Sequence, residues 1–261
     1  MANLLQLGAD ETVAQVLDLK DYEQSAYLVL ATRDGMVKKS RLTEYDSPRS
    51  TGLIAINLRD GDSVISAQLV NADHDLILVS KNGYSARFSA DDGTLRPMGR
   101  SATGVIGMRF KSDEDFLLSM EVALPDAYLV TVTEGGWAKR TALSEWNSKG
   151  RGIQGVRAMR LVEKRGGLAG ALVCQVDDEL FAIASNGVVI RSRVDEIRAA
   201  GRDTMGVSFM RVDEGDSVVG VARATAAAQA ALDEVADEPD SLGVPEEQDD
   251  VSSDSDSEEN A

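Results

Sequence analysis

Four short apolar runs, Tyr27 to Ala31, Leu76 to Ser80, Tyr128 to Val132 and Leu180 to Ala184, each lead into a hairpin dipeptide: Asp34-Gly35, Asn82-Gly83, Gly135-Gly136 and Asn186-Gly187. Such dipeptides place glycine where a two-residue turn requires positive φ, so each run predicts the first strand of a hairpin. The turn glycines lie 48, 53 and 51 residues apart, and each is followed four positions on by a basic residue, Lys39, Arg87, Arg140 or Arg191. A second landmark keeps stricter register. Gly99-Arg100-Ser101-Ala102-Thr103-Gly104-Val105 returns as Gly150-Arg151-Gly152-Ile153-Gln154-Gly155-Val156 and as Gly201-Arg202-Asp203-Thr204-Met205-Gly206-Val207, with a degraded copy around Arg49. Arg49, Arg100, Arg151 and Arg202 are each separated by 51 residues, and Arg109, Arg160 and Arg211 repeat behind them after a methionine.

A third strand is expected after each glycine-arginine loop (Leu53 to Leu58, Val105 to Phe110, Val156 to Leu161, Val207 to Val212), then an acidic turn and a fourth strand. Four strands per unit of this length is the signature of propeller blades, which curl about an axis and leave no long exposed edge. The fold class is therefore all-β, a propeller-like repeat of four-stranded blades over residues 1–223, with four full blades. Part of an earlier blade is expected in residues 1–20, where Ala2 to Leu5 matches a third strand and Val13 to Leu17 a fourth. On this reading the chain starts inside that blade and is a fragment of something longer.

Composition and charge refine the picture. A hydrophobic content of 43% over 261 residues supplies a core. No apolar run approaches the roughly 20 residues of a membrane span, and no leader pattern is present. The single cysteine, Cys174, lies in an apolar run and excludes both an intrachain disulfide and a cysteine-cluster metal site. A cytoplasmic address fits. The net charge of −17 argues against a polyanion partner only if it is evenly spread, and it is not. From Gln229 onward there are 13 acids and no base, so residues 1–228 carry only −4. Residues 224–261 read as an acidic disordered tail, opening on an alanine-rich stretch that suits a short helix.

Within each blade the bases gather in two places. The second hairpin strand holds Lys38, Lys39, Arg41, Arg87, Lys139, Arg140, Arg191 and Arg193, and the glycine-arginine loops hold Arg49, Arg100, Lys149, Arg151 and Arg202. Acids fall in the turns before the first strand and after the third. Stacked about an axis, this arrangement gives a positive rim and a separate negative one. Basic residues on exposed strands commonly serve solvation and edge protection, but packing gives no reason for an arginine to recur in a glycine-rich loop. Glycine flanks let backbone amides approach a phosphate that the guanidinium grips, giving affinity without sequence reading. These residues are the candidate contacts to duplex DNA.

Other motifs carry no chemistry. Gly150-x-Gly152-x-x-Gly155 matches a dinucleotide-binding pattern, but the alternation of Val156 to Arg160 is that of a strand and not of a helix. His74 sits between Asp73 and Asp75 in a turn, without a companion ligand or base. Trp137 and Trp146 are expected to pack between blades, and Cys174 in the core. No catalytic residue, metal or cofactor is expected in this chain.

The blade pattern, together with Tyr27-Leu28-Val29-Leu30-Ala31-Thr32-Arg33-Asp34-Gly35, Asn57-Leu58-Arg59-Asp60 and Leu95-Arg96-Pro97-Met98-Gly99-Arg100, resembles the C-terminal domain of DNA gyrase A, actinobacterial members in particular, over about residues 2–223. The resemblance implies a six-bladed β-pinwheel whose neighbouring blades exchange a strand and whose perimeter wraps DNA non-specifically. That wrap would support ATP-dependent negative supercoiling in an A2B2 holoenzyme with the rest of gyrase A and with gyrase B, nucleoid-associated, ATP and Mg2+ acting elsewhere in the assembly. The family's box Gln-Arg-Arg-Gly-Gly-Lys-Gly is absent, and the stretch most like it, Lys149 to Gly155, has Ile153 and Gln154 where the box has glycine and lysine. The strand-cleaving tyrosine belongs to the family's N-terminal part, so Tyr22, Tyr27, Tyr45, Tyr84 and Tyr128 are not given that role. An acidic tail competing for the basic rim is a further expectation, with a merely solubilising end as its alternative. The competing readings are a propeller interaction module without DNA binding and the C-terminal domain of the topoisomerase IV A subunit.

Overall fold

The computed structural model describes residues 12–17, 26–46 and 52–224, all within the compact unit Met1–Ala224. The expectations for Arg49, for Ala2 to Leu5 and for residues 225–261 lie outside the described residues. Hairpins β1 (Tyr27–Thr32) with β2 (Met36–Arg41), β4 (Asp75–Ser80) with β5 (Tyr84–Ser89), β8 (Tyr128–Thr133) with β9 (Trp137–Ala142), and β12 (Glu179–Ala184) with β13 (Val189–Arg193) form at the four glycine turns. Each first strand also pairs with the fourth strand of its repeat: β3 (Val64–Val70), β7 (Leu117–Ala123), β11 (Leu168–Cys174) and β15 (Val218–Arg223). The register slips once in every such pair, at the last residue of the first strand or beside its partner.

The third strands cross between repeats. β6 (Val105–Ile106) completes the sheet β3-β1-β2-β6, β10 (Val156–Arg157) completes β10-β5-β4-β7, and β14 (Val207–Ser208) completes β11-β8-β9-β14. Each sheet thus takes its outer strand from the repeat that follows, the strand exchange the resemblance implied. The exchanged strands are two residues long, shorter than expected, and each is anchored by an amide: Gly107 N donates to Gly35 O at 2.8 Å, Ala158 N to Gly83 O at 2.8 Å and Phe209 N to Gly136 O at 2.9 Å. Gly155 shows why the loop needs glycine. Its φ is +73°, and a Cβ there would overlap the carbonyl oxygen of Ser85 on the receiving strand.

Both ends of the array depart from expectation. Leu53 to Leu58 is not a strand, because no hairpin among the described residues receives it, and Ile54 is left 69% exposed. The fourth sheet is three-stranded, β13-β12-β15, with Val189 on its outer edge 53% exposed. Val13 to Leu17 forms no strand either, although Gln15 Oε1 accepts the amide of Ala67 in β3 at 2.7 Å.

The core lies between blades. Leu76 and Leu78, with Met120 of the same sheet, face Val29 and Val37 of the first sheet, while Ile77 and Val79 face the third sheet with Leu129, Leu168 and Val173. Burial on both faces explains why β4 reads as a continuous apolar run instead of an alternating one. Fourth strands β3, β7, β11 and β15 contact one another in sequence and so form the inner ring of the propeller. The exchanged strands and their glycine-arginine loops then fall on the outer rim. Trp146 is buried between the second and third sheets, its Nε1 donating to Ser85 Oγ at 2.7 Å, and Cys174 is buried in the last interface, where burial pushes its thiol up to about 12. Among the described residues no helix is long and apolar enough to cross a membrane.

Candidate nucleic-acid interface

Three of the second-strand candidates are not surface groups. Lys38, Lys39 and Lys139 are 0% exposed, which corrects their assignment as phosphate contacts. A charged amine removed from water needs oxygen partners, and each lysine finds at least one of them in the next repeat. Lys38 Nζ donates to Ala55 O at 2.5 Å and Arg100 O at 2.6 Å, Lys39 Nζ to Ala90 O and Asp92, and Lys139 Nζ to Gly201 O and Arg202 O, both at 2.6 Å. The desolvation holds the amines of Lys38 and Lys139 down to about 8.

The repeating base four residues after each turn glycine has a structural cause as well. Arg87 donates to Leu143 O at 3.0 Å and Trp146 O at 3.3 Å and pairs with Asp75 at 2.8 Å. Arg140 Nε donates to Ile197 O at 2.8 Å. Like Lys39, both reach carbonyls at the end of the next repeat's second strand or in the turn beyond it, so this position staples blade to blade. Arg191 pairs with Glu179 and Arg193 with Asp195, so the bases of these strands are not segregated from acids as the sequence suggested. Arg41 is exposed, its guanidinium 5.8 Å from the Tyr27 ring.

The acids also have work in the fold. Asp62 accepts the amide of Asp34, and Asp115 those of Asn82 and Phe116 with the hydroxyl of Ser80. Asp216 accepts from Ser185 and Asn186. In the third repeat the loop carries Gly166-Gly167 instead, and the hairpin supplies the acid: Glu134 accepts Gly167 N at 2.8 Å.

The glycine-arginine loops do share a place. Arg100, Arg151 and Arg202 each stand five residues before the outer strand of consecutive sheets. Arg100 is half-buried and donates to Ile54 O at 3.0 Å; Arg151 is exposed and donates to Thr94 O at 2.9 Å; Arg202 lies over Trp146 at 5.8 Å, its Nε 3.8 Å from Glu145. Among the described residues none is consumed by a tight carboxylate pair. Lys149 is exposed beside Arg151, its amide held by Arg87 O at 2.9 Å.

Two further cations stand near the rim beyond the candidate contacts read from the sequence. Arg157 on β10 and Arg160 both reach Asp203 of the next loop, at 3.2 and 2.9 Å, and together hold its carboxyl down to about 2. With Tyr84, Lys111, Glu145 and Arg202, Arg157 and Asp203 border an open groove of about 490 Å³. Arg157 has Ile106 and Ser208 as its repeat equivalents, so a search for recurring bases passes it by; its place on the outer strand was the available signal.

Fold and rim together define a strand-exchanged β-propeller with cationic loops on consecutive outer edges. The family model of the DNA gyrase C-terminal domain, beta-propeller, matches residues 26–71, 74–123, 127–175 and 178–225, one match per blade, and the chain belongs to this family. It is 52% identical over 223 residues to the DNA gyrase A protein of Mycolicibacterium smegmatis, covering 85% of this chain and 26% of that protein. It is likewise 52% identical over 228 residues to the DNA gyrase A protein of Streptomyces coelicolor, with the same coverage. The chain therefore spans about a quarter of the length of these curated relatives. A solved DNA gyrase A C-terminal domain superposes with a TM-score of 0.76 at 28% identity, covering 86% of this chain and 74% of that one. The C-terminal domain of a DNA topoisomerase IV gives 0.79 at 28% identity, covering 90% and 74%.

Proposed function

We propose that the chain binds duplex DNA without sequence specificity along its outer rim and, as the C-terminal part of a gyrase A protein, wraps it in support of ATP-dependent negative supercoiling. One observation carries this reading: Arg100, Arg151 and Arg202 occupy equivalent loops on the outer edges of consecutive sheets, so a phosphate backbone following the rim meets a guanidinium at each blade. Lys149, Arg157 and Arg160 add charge between them. Gyrase B and the A2B2 assembly enter as the partners such a protein implies, in a nucleoid setting. ATP and Mg2+ would act elsewhere in that holoenzyme.

The superposition on topoisomerase IV supports the alternative of a topoisomerase IV origin, but identity near one half with gyrase A proteins favours gyrase. A mobility-shift titration of this chain on duplex DNA across a salt series tests the reading. Binding should weaken linearly in log–log form, with a slope of about 0.9 for each phosphate neutralised, and change little with sequence. No binding at low salt would leave an interaction module without DNA.

A further inference from the structure

The loops at Arg100 and Arg202 are each held by a matched pair of side chains from the preceding repeat. Lys38 Nζ donates to the carbonyl of Arg100 at 2.6 Å, while Glu44 Oε2 accepts the amide of the same residue at 3.0 Å. Two repeats further round, Lys139 Nζ donates to the carbonyls of Gly201 and Arg202 at 2.6 Å, and Glu145 Oε2 accepts the Arg202 amide at 3.1 Å. Each lysine is three residues past its turn glycine, and each glutamate nine past. The second blade has Ala86 and Asp92 there, and Asp92 is drawn to Lys39 at 2.7 Å. Its client, Arg151, lacks the clamp, and its guanidinium reaches two carbonyls, of Thr94 and Ile106 at 2.9 and 3.3 Å, where clamped Arg100 reaches one, of Ile54 at 3.0 Å.

We infer that Lys38 with Glu44 and Lys139 with Glu145 are positioning residues for DNA binding, clamping the main chain of Arg100 and Arg202 so that those two guanidinium groups are presented already ordered. The inference rests on the proposed DNA-binding reading and deepens it. A loop fixed before contact does not have its ordering entropy deducted from affinity, whereas a loop released from its clamp does. The pair acts through the arginine and touches no phosphate. Around Lys38 the charged and titratable groups are Glu44, Arg100 and Tyr45; around Lys139 they are Glu145, Asp203 and Arg202.

The test is a double-mutant cycle on the whole 261-residue chain, with duplex-DNA affinity read by fluorescence anisotropy at fixed low salt. Lys139→Met and Arg202→Ala should each weaken binding by about tenfold, and the double variant should bind about as Arg202→Ala does, because the lysine works only through that arginine. Raising the pH from 7 to 9 should weaken the wild type more than Lys38→Met/Lys139→Met. If Lys139→Met fails to fold, Glu145→Gln, at an exposed carboxylate, should give about a threefold loss. Additive losses, or unchanged affinity in a folded Lys139→Met or Glu145→Gln, overturn the clamp while leaving DNA binding intact. A wild-type chain that binds no DNA overturns the functional reading itself, and the clamp's role with it.

Discussion

Lys39 Nζ rests 2.5 Å from the carbonyl oxygen of Ala90, which lies one repeat further along the chain, and pairs there with Asp92. Arg87 and Arg140 occupy the same position in their own hairpins and make the same crossing. A base at this site therefore holds neighbouring blades in register. Lys39→Met should destabilise the fold by about 2 kcal/mol, below the value for a fully buried pair because Asp92 is largely exposed, while leaving DNA affinity at constant folded fraction unchanged. Arg151→Ala should do the reverse, costing at most about 1 kcal/mol in urea unfolding but weakening DNA binding.

Gly155 and Gly52 offer a matched pair of substitutions. Both have φ between +70° and +80°, but a Cβ on Gly155 collides with the Ser85 carbonyl, whereas one on Gly52 meets nothing within 4 Å among the described residues. Gly52→Ala should cost about 1 kcal/mol from backbone strain alone, and Gly155→Ala about 3 kcal/mol or more because β10 must also leave β5. Chemical denaturation of the two variants checks the difference, and equal losses would show that strand exchange contributes little.

The sequence made the repeat, the hairpins and the inner strands legible, because each is written in local signals: a glycine turn, an apolar run, an acid capping the turn. What it could not show was where the long side chains end. Lys38, Lys39 and Lys139 look like solvent-facing bases when read along the chain, yet the carbonyls that attract them come from residues 17 to 63 positions away. The recurrence of such bases reflects blade packing, while the loop arginines Arg100, Arg151 and Arg202 keep at least part of their surface open to a phosphate. Arg157 shows the converse, a rim cation hidden because it does not recur.

Glu121 on β7 gives a pH signature. Burial pushes its carboxyl up to about 7 from 4.5, with Arg223 opposing the shift. Between those values the folded chain holds a proton that the unfolded chain has released, so this group's contribution to stability is full below about pH 4.5 and is lost as pH rises through 7. Glu121→Gln should remove that slope and stabilise the protein at pH 8 by about 2 kcal/mol, allowing for partial solvent contact. Urea midpoints at pH 5, 6, 7 and 8 for both proteins decide it; parallel profiles would rule the shift out.

Lys38 and Lys139 shift in the opposite sense and act in a separate window. Burial lowers both amines to about 8 from 10.5, so between those values the unfolded chain binds protons that the folded chain does not. Stability from these groups must then rise with pH from about 8 to 10.5, the cost of holding a buried ammonium being present below 8 and relieved above it. Comparing wild type with Lys38→Met/Lys139→Met isolates the effect, since the remaining titrations are common to both. The wild type should gain on the variant as pH moves from 7.5 to 10. The same deprotonation weakens the charge-assisted bonds to the Arg100 and Arg202 carbonyls, so DNA affinity should fall over the range in which the fold is gaining stability. A thermal-melt series and a binding series run in the same buffers would reveal that divergence, and a parallel rise or fall of the two would contradict it.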